Sequence, residues 1–148
     1  MASLGVIGLG TMGKNLALNV ASKKMIPVHV YNRSKSRVAE VLKEAEKVNC
    51  LEYIKGYDDP SEVILKSDAT FFMLPHGKAF DDVVQLLKSD IPTGYTVIDG
   101  ANEHYTVSQM RGKKLDHEGI NYLGVGVSGG AEGAKNGPCM MIGGSYDS

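Results

Sequence analysis

The chain has 148 residues, 43% of them apolar and 22% charged, with a formal net charge of −1. That balance argues against a nucleic-acid surface, an acidic tail or a membrane-binding face. The length is one domain's worth, enough to bury roughly 70% of the surface of the unfolded chain. No apolar run approaches the roughly 20 residues that a membrane-spanning helix needs. The first apolar stretch lacks a charged leader and is broken by glycines, which argues against a signal peptide. Cys50 and Cys139 are too few and too isolated for a disulfide framework or a metal site, so a reducing, cytoplasmic setting is expected.

Strands and helices alternate along the chain. The pattern predicts a strand over 4–8, a helix over 13–23 and a strand over 28–31. A helix follows over 34–48, with Val38, Val41, Leu42 and Ala45 at i, i+3, i+4 and i+7 on one face and Ser34 as N-cap. The 51–59 segment is ambiguous. Leu51, Tyr53 and Ile54 suit a short strand, and Asp58-Asp59-Pro60 reads as a turn into a short helix over 61–65. The run 69–74, bounded by Asp68 and Pro75, has the continuous apolarity of a buried parallel strand. Further along come an amphipathic helix over 77–87 (Phe80, Val83, Val84, Leu87), a strand over 95–98 and a helix over 105–117 closed by Gly119. A strand over 120–125 then leads into the glycine-dense stretch 124–133 and an apolar segment over 138–142. Such alternation predicts an α/β fold: a Rossmann-type, doubly wound, mostly parallel sheet with helices on both faces, in one domain over 1–148. The chain stops without a capping element, which reads as a cut.

The first strand runs straight into Gly8, Gly10 and Gly13, spaced G-x-G-x-x-G, and a helical pattern begins at once. In that context the motif points to a dinucleotide. Gly8 permits the turn out of the strand, Gly10 clears the approach of a pyrophosphate, and Gly13 lets helix and strand pack closely. The helix N-terminus then offers unpaired N–H groups to the phosphates. An NAD site calls for a carboxylate at the end of the second strand, about 20 residues on. Here that strand ends in Tyr31-Asn32-Arg33-Ser34. Arg33 presents a permanently charged fork suited to a 2′-phosphate, and Asn32 and Ser34 are neutral donors beside it. The expected cofactor is NADP. Lys14 reads as a solvated helix-face cation.

Three further stretches fall where strands end, the edge at which such sheets bind ligands. They are Met73-Leu74-Pro75-His76-Gly77, the run Ile98-Asp99-Gly100-Ala101-Asn102-Glu103-His104-Tyr105, and Gly124-Val125-Gly126-Val127-Ser128-Gly129-Gly130-Ala131-Glu132-Gly133-Ala134.

With G-L-G-T-M-G-K-N, Y-N-R-S, I-D-G-A-N-E-H-Y and G-V-G-V-S-G-G-A-E-G-A-K-N-G-P, the chain resembles the N-terminal, NADP-binding domain of the 6-phosphogluconate dehydrogenase (decarboxylating) family. The resemblance covers the whole chain and is most specific at S-G-G-x-E-G-A-x-x-G-P. The β-hydroxyacid dehydrogenase superfamily shares the first motif and a V-S-G-G element, but its other members usually carry D-A-P where this chain has Gly124-Val125-Gly126.

The resemblance implies roles for particular residues. Gly8, Leu9, Gly10, Thr11, Met12 and Gly13 would hold the pyrophosphate, and Asn32, Arg33 and Ser34 the adenosine 2′-phosphate. Leu74, Pro75 and His76 would cross the cofactor, although the family commonly has V-K-A there and Pro75 has no N–H to donate. Asn102 would lie between nicotinamide and substrate, and Ser128, Gly129 and Gly130 would contact the sugar acid. The implied reaction is oxidative decarboxylation of 6-phosphogluconate to ribulose 5-phosphate with NADP, in the pentose phosphate pathway. Its lysine and glutamate acid–base pair and the all-helical substrate and dimerisation domain lie beyond residue 148. Glu132, Lys135 and His104 match neither catalytic motif, so no catalytic residue is assigned within this chain. It is expected to bind NADP and to turn nothing over. Two other readings stay open: another β-hydroxyacid dehydrogenase of the 3-hydroxyisobutyrate type, and a non-catalytic NADP-binding module.

Overall fold

The computed structural model describes residues 2–145. A seven-stranded sheet, in the order β3-β2-β1-β4-β5-β6-β7, carries helices on both faces. The strands are β1 (Leu4–Ile7), β2 (Val28–Tyr31), β3 (Ile54–Gly56), β4 (Ala69–Phe72), β5 (Thr96–Asp99), β6 (Asn121–Ser128) and β7 (Cys139–Gly144). The helices are α1 (Thr11–Lys24), α2 (Lys35–Lys47), α3 (Pro60–Lys66), α4 (Lys78–Leu86), α5 (Tyr105–His117) and α6 (Gly130–Asn136). β1 to β6 pair in parallel, and β7 returns antiparallel to β6. The expected α/β class and doubly wound sheet are therefore present.

Two apolar cores explain the layering. One joins Val6, Val28, Val30, Phe71 and Val125 of the sheet to Leu16 and Ala17 of α1 and Val41 and Ala45 of α2. The other joins Ile7, Phe72 and Val97 to Val63 of α3, Phe80 and Val84 of α4 and Leu115 of α5. Alternate residues of each strand thus feed opposite cores, so both faces are apolar and must both be covered. Phe72 and Phe80 meet edge to face with centroids 5.3 Å apart. Burying each such side chain contributes roughly 2–3 kcal/mol.

Several boundaries depart from the sequence expectation. Leu51–Tyr53 is a 3-10 turn, and the third strand is Ile54–Gly56, because Ile54 and not Leu51 reaches the core. α1 begins at Thr11, so Gly10 is its N-cap and Gly13 lies within its first turn. Ser34 occupies the α2 N-cap without capping it through its side chain, whereas Asp59 caps α3 by accepting the Ser61 N–H at 2.9 Å. β6 runs on to Ser128, and α6 begins within the glycine-dense stretch, at Gly130, and runs to Asn136. Among the described residues no helix is long and apolar enough to cross a membrane.

The order of strands places the site. From β1 the chain moves to β2 and β3 on one side, then returns to β4 on the other side of β1. Connections leaving β1 and β4 therefore diverge and open a crevice at the C-terminal edge of the sheet.

Candidate functional site

The glycine turn sits in that crevice. Gly8 has φ +98°, and a Cβ there would strike the Met73 carbonyl at the end of β4. A Cβ on Gly13 would strike the Gly8 carbonyl, so this glycine sets the distance between α1 and the strand. A Cβ on Gly10 would meet no atom within 4 Å: its surroundings are open, as a site for an approaching group requires. α1 has no acidic residue in its first turn, and Lys14 N–H makes the first intrahelical bond, to Gly10 O at 2.9 Å. The amides of Thr11, Met12 and Gly13 therefore point out of the helix end with its partial positive charge. The Leu9 side chain is buried in the core, so this residue presents backbone to the crevice, and Met12 packs against the same core while only partly buried.

Lys14 is not a solvated cation. Its ammonium bonds Glu40 at 2.8 Å and Glu44 at 3.0 Å, tying α1 to α2, and the bond to Glu40 is foremost in raising its pKa. Asn32 is a backbone tie: Oδ1 accepts the Leu9 N–H at 2.9 Å, and Nδ2 donates to the Ser34 carbonyl at 3.2 Å. This holds the end of β2 against the glycine turn. Arg33 is exposed and makes no ion pair among the described residues. Ser34 Oγ lies 2.8 Å from Ser36 Oγ, and the first turn of α2 carries no acidic residue. The end of β2 thus offers a free guanidinium, two hydroxyls and a helix N-terminus.

The other predicted residues lie along the same sheet edge. Leu74 packs on the second core, while Pro75 and His76 are exposed. Asn102 follows β5 with φ +56°, a region that asparagine tolerates better than most residues. Its side chain pairs with the Val127 peptide of β6, Nδ2 donating to O at 3.2 Å and Oδ1 accepting from N at 2.6 Å. Ser128, Gly129 and Gly130 form the turn into α6, with φ +113° at Gly129. His104 Nδ1 lies 2.8 Å from Thr106 Oγ1, and Glu132 accepts from Asn136, so both are engaged locally.

Two features were not anticipated from sequence. The first is the ladder Asn15, Asn19 and Lys23 on α1, at i, i+4 and i+8. Their side chains donate to the carbonyls of Ala131 (3.3 Å), Ala134 (3.0 Å) and Asn136 (2.8 Å), binding α6 to α1. The second is Arg111 of α5, only 3% exposed. It bonds Asp81 through Nη2 at 2.7 Å and Asp99 through Nη1 at 2.7 Å, and lies 3.3 Å from Glu103. Nη2 also donates to the Gly77 carbonyl at 2.5 Å, and the guanidinium carbon sits 4.9 Å from the Phe80 ring centroid. Burial opposes its charge, but Asp81 and Asp99 outweigh burial and raise its pKa. Tyr122 Oη donates to Asp99 at 2.9 Å, and burial pushes that hydroxyl's pKa up. Removing one partner from such a buried network costs about 3–5 kcal/mol. A polar helix position beside a strand ending in aspartate was the signal available in the sequence.

A separate cleft of about 750 Å³ lies between α5 and the β6–β7 hairpin, lined by Tyr105, Ser108, Gly124, Gly126 and Met141. It shares Asn102 with the predicted site but contains no residue of the glycine turn.

Residues 3–148 match the family model described as the NAD binding domain of 6-phosphogluconate dehydrogenase. The chain belongs to that family. It is 41% identical over 147 residues to 6-phosphogluconate dehydrogenase, decarboxylating 1, of Spinacia oleracea, covering 97% of this chain and 30% of that one. In Bacillus subtilis it matches an NADP(+)-dependent 6-phosphogluconate dehydrogenase at 40% identity and an NAD(+)-dependent one at 39%. These cover 97% and 98% of this chain and 30% and 31% of the relatives. Plasmodium falciparum 6-phosphogluconate dehydrogenase, a structure described with its cofactor NADP+ and with its substrate 6-phosphogluconate, superposes with TM-score 0.90 at 35% identity. That match covers 98% of this chain and 31% of that one. Mycobacterium tuberculosis 3-hydroxyisobutyrate dehydrogenase, at 19% identity, shares the fold with TM-score 0.85 over 99% of this chain and 48% of that one. The chain thus spans about 30% of the length of the curated 6-phosphogluconate dehydrogenases it matches.

Proposed function

We propose that this chain is the coenzyme half of an NADP-dependent 6-phosphogluconate dehydrogenase that oxidatively decarboxylates 6-phosphogluconate to ribulose 5-phosphate. Membership of the family supports the reaction class. The observation that carries the choice of cofactor is Arg33 at the end of β2, without an ion pair among the described residues, in a Tyr31-Asn32-Arg33-Ser34 sequence that contains no carboxylate. Relatives with both cofactor preferences match at nearly equal identity, so the preference rests on that residue and its neighbours.

The residues present fit the dinucleotide. The amides of Thr11, Met12 and Gly13, beside the open Cα of Gly10, would hold the pyrophosphate, and Arg33 with Ser34 and Ser36 would hold the 2′-phosphate. Leu74, Pro75, His76 and Asn102 would hold the nicotinamide end, and Ser128, Gly129 and Gly130 the sugar acid. When bound, NADP supplies the acceptor for the hydride leaving C3 of the substrate. This chain binds and orients. The general base and acid that the reaction needs are not assigned to any residue of this chain, which matches about 30% of the length of its curated relatives.

Calorimetric titration with NADP and NAD, beside an Arg33→Ala variant, tests the reading. NADP is expected to bind at least about tenfold more tightly, a gap of roughly 1.4 kcal/mol, and Arg33→Ala to erase the gap. Equal affinity of the unaltered chain for NAD overturns the NADP assignment. Mixed with NADP and 6-phosphogluconate, the chain alone is expected to produce no NADPH.

A further inference from the structure

We infer that Arg111 is a positioning residue for the nicotinamide end of the cofactor site, although it touches neither cofactor nor substrate. The inference rests on the NADP reading above. Its basis is where the network lands. Arg111 donates to the Gly77 carbonyl at 2.5 Å, while Glu103 accepts the N–H of the same residue. The Gly77 peptide links are thus held on both sides, from one helix and one loop. Met73, at the other end of that segment, donates its N–H to Ile7 O at 2.8 Å. Leu74, Pro75 and His76 are therefore strung between two pinned points.

The second loop is pinned in the same way. Asp99 receives Arg111 Nη1 at 2.7 Å, Tyr122 Oη at 2.9 Å and the Ala101 N–H at 3.1 Å. Glu103, four residues on, lies 3.3 Å from Arg111 Nη1. Asn102 sits between these anchors. One guanidinium thereby fixes the ends of both segments proposed to carry the nicotinamide, and joins them through Glu103.

Only a planar fork can do this. Asp81, Asp99 and the Gly77 carbonyl are reached by different N–H groups pointing in different directions, a geometry that a lysine ammonium does not reproduce. Three carboxylates around one cation also exceed what charge balance requires: Asp99 and Glu103 bound the second loop, and Asp81, on α4 just after Gly77, holds the guanidinium beside the first. Sites of this kind depend on supporting contacts that hold the ligand-facing residues to within a fraction of an ångström.

The test compares two ligands on the same chain. NADP spans the whole site, whereas 2′-phosphoadenosine 5′-phosphate occupies only the β1–β2 end. Arg111→Lys and Glu103→Ala are each expected to weaken NADP by about tenfold, equivalent to roughly 1.4 kcal/mol, and to leave the affinity for the bisphosphate unchanged. Glu103→Ala keeps Arg111 paired with Asp81 and Asp99, so it decides the matter should Arg111→Lys fail to fold. If the two ligands weaken together, or neither changes, Arg111 serves stability alone and the inference falls. If the unaltered chain binds the bisphosphate but not NADP, the loops do not hold the nicotinamide and the inference falls too. If it binds neither, the cofactor reading itself has failed.

Discussion

The side chain of Asn102 and the peptide of Val127 form a two-bond pair, joining the loop after β5 to the strand that ends in Ser128. The residue proposed to face the cofactor and the turn proposed to face the sugar acid are thereby held in one register. Asn102→Gly keeps the backbone geometry at φ +56° and deletes both bonds. We expect it to lower unfolding free energy by roughly 1–3 kcal/mol, read from urea denaturation. An unchanged urea midpoint would show that the pair carries no stability.

The glycines of the turn separate fold from ligand. Gly13→Ala drives a methyl into the Gly8 carbonyl, and overpacking of this kind costs about 1–3 kcal/mol or more. Gly10→Ala meets nothing within 4 Å, and its φ of −65° suits any residue. It should unfold like the parent yet bind NADP far more weakly. Thermal unfolding with and without NADP distinguishes the two, and normal NADP binding by Gly10→Ala would place the pyrophosphate elsewhere.

The α1 ladder should govern α6. Asn19→Ala removes the donor to the Ala134 carbonyl, a loss of about 1 kcal/mol. Amide exchange is expected to accelerate in residues 130–136 while the β1–β4 amides stay protected. Uniform acceleration would mean that α6 does not open by itself.

Stability should fall on mild acidification because of His29. Burial, reinforced by the charges of Lys55 and Lys66, lowers its pKa, and its Nδ1 lies 2.9 Å from Tyr57 Oη. The folded state binds the proton less well than the unfolded state, whose histidines titrate near pH ~6.5. Stability from this group is therefore complete above about pH 6.5 and is lost as pH falls below it. Asp59, held low foremost by the Ser61 N–H, and Asp68, held low foremost by the Ser3 hydroxyl, release theirs at more acid pH. Urea midpoints between about pH 8 and pH 5 should decline for the parent and stay flat for His29→Gln. A parallel decline in the variant assigns the effect to other groups.

Much of this was legible in the sequence for a local reason. The glycine turn, the apolar strands and the amphipathic faces of α2 and α4 depend on residues within a few positions of one another, and hydrophobic period registers them directly. The place of Arg33 just after β2 was legible because the end of the second strand is a known position relative to the glycines.

What only the tertiary structure decided involves partners far apart in the chain. Arg111 lies 30 residues from Asp81 and 34 from Gly77, and it is buried where composition alone would leave an arginine in water. Lys14 and Asn32 were read as individual side chains, but the fold brings Glu40, Glu44 and Leu9 to them. Two glycines in seven residues give α6 poor intrinsic helicity, which packing on α1 and its donor ladder offset. Nor does the hydropathy of residues 139–144 encode the antiparallel direction of β7. Local pattern determined the elements and the dinucleotide turn. Long-range desolvation and pairing determined which polar side chains are free to meet a ligand and which hold the protein together.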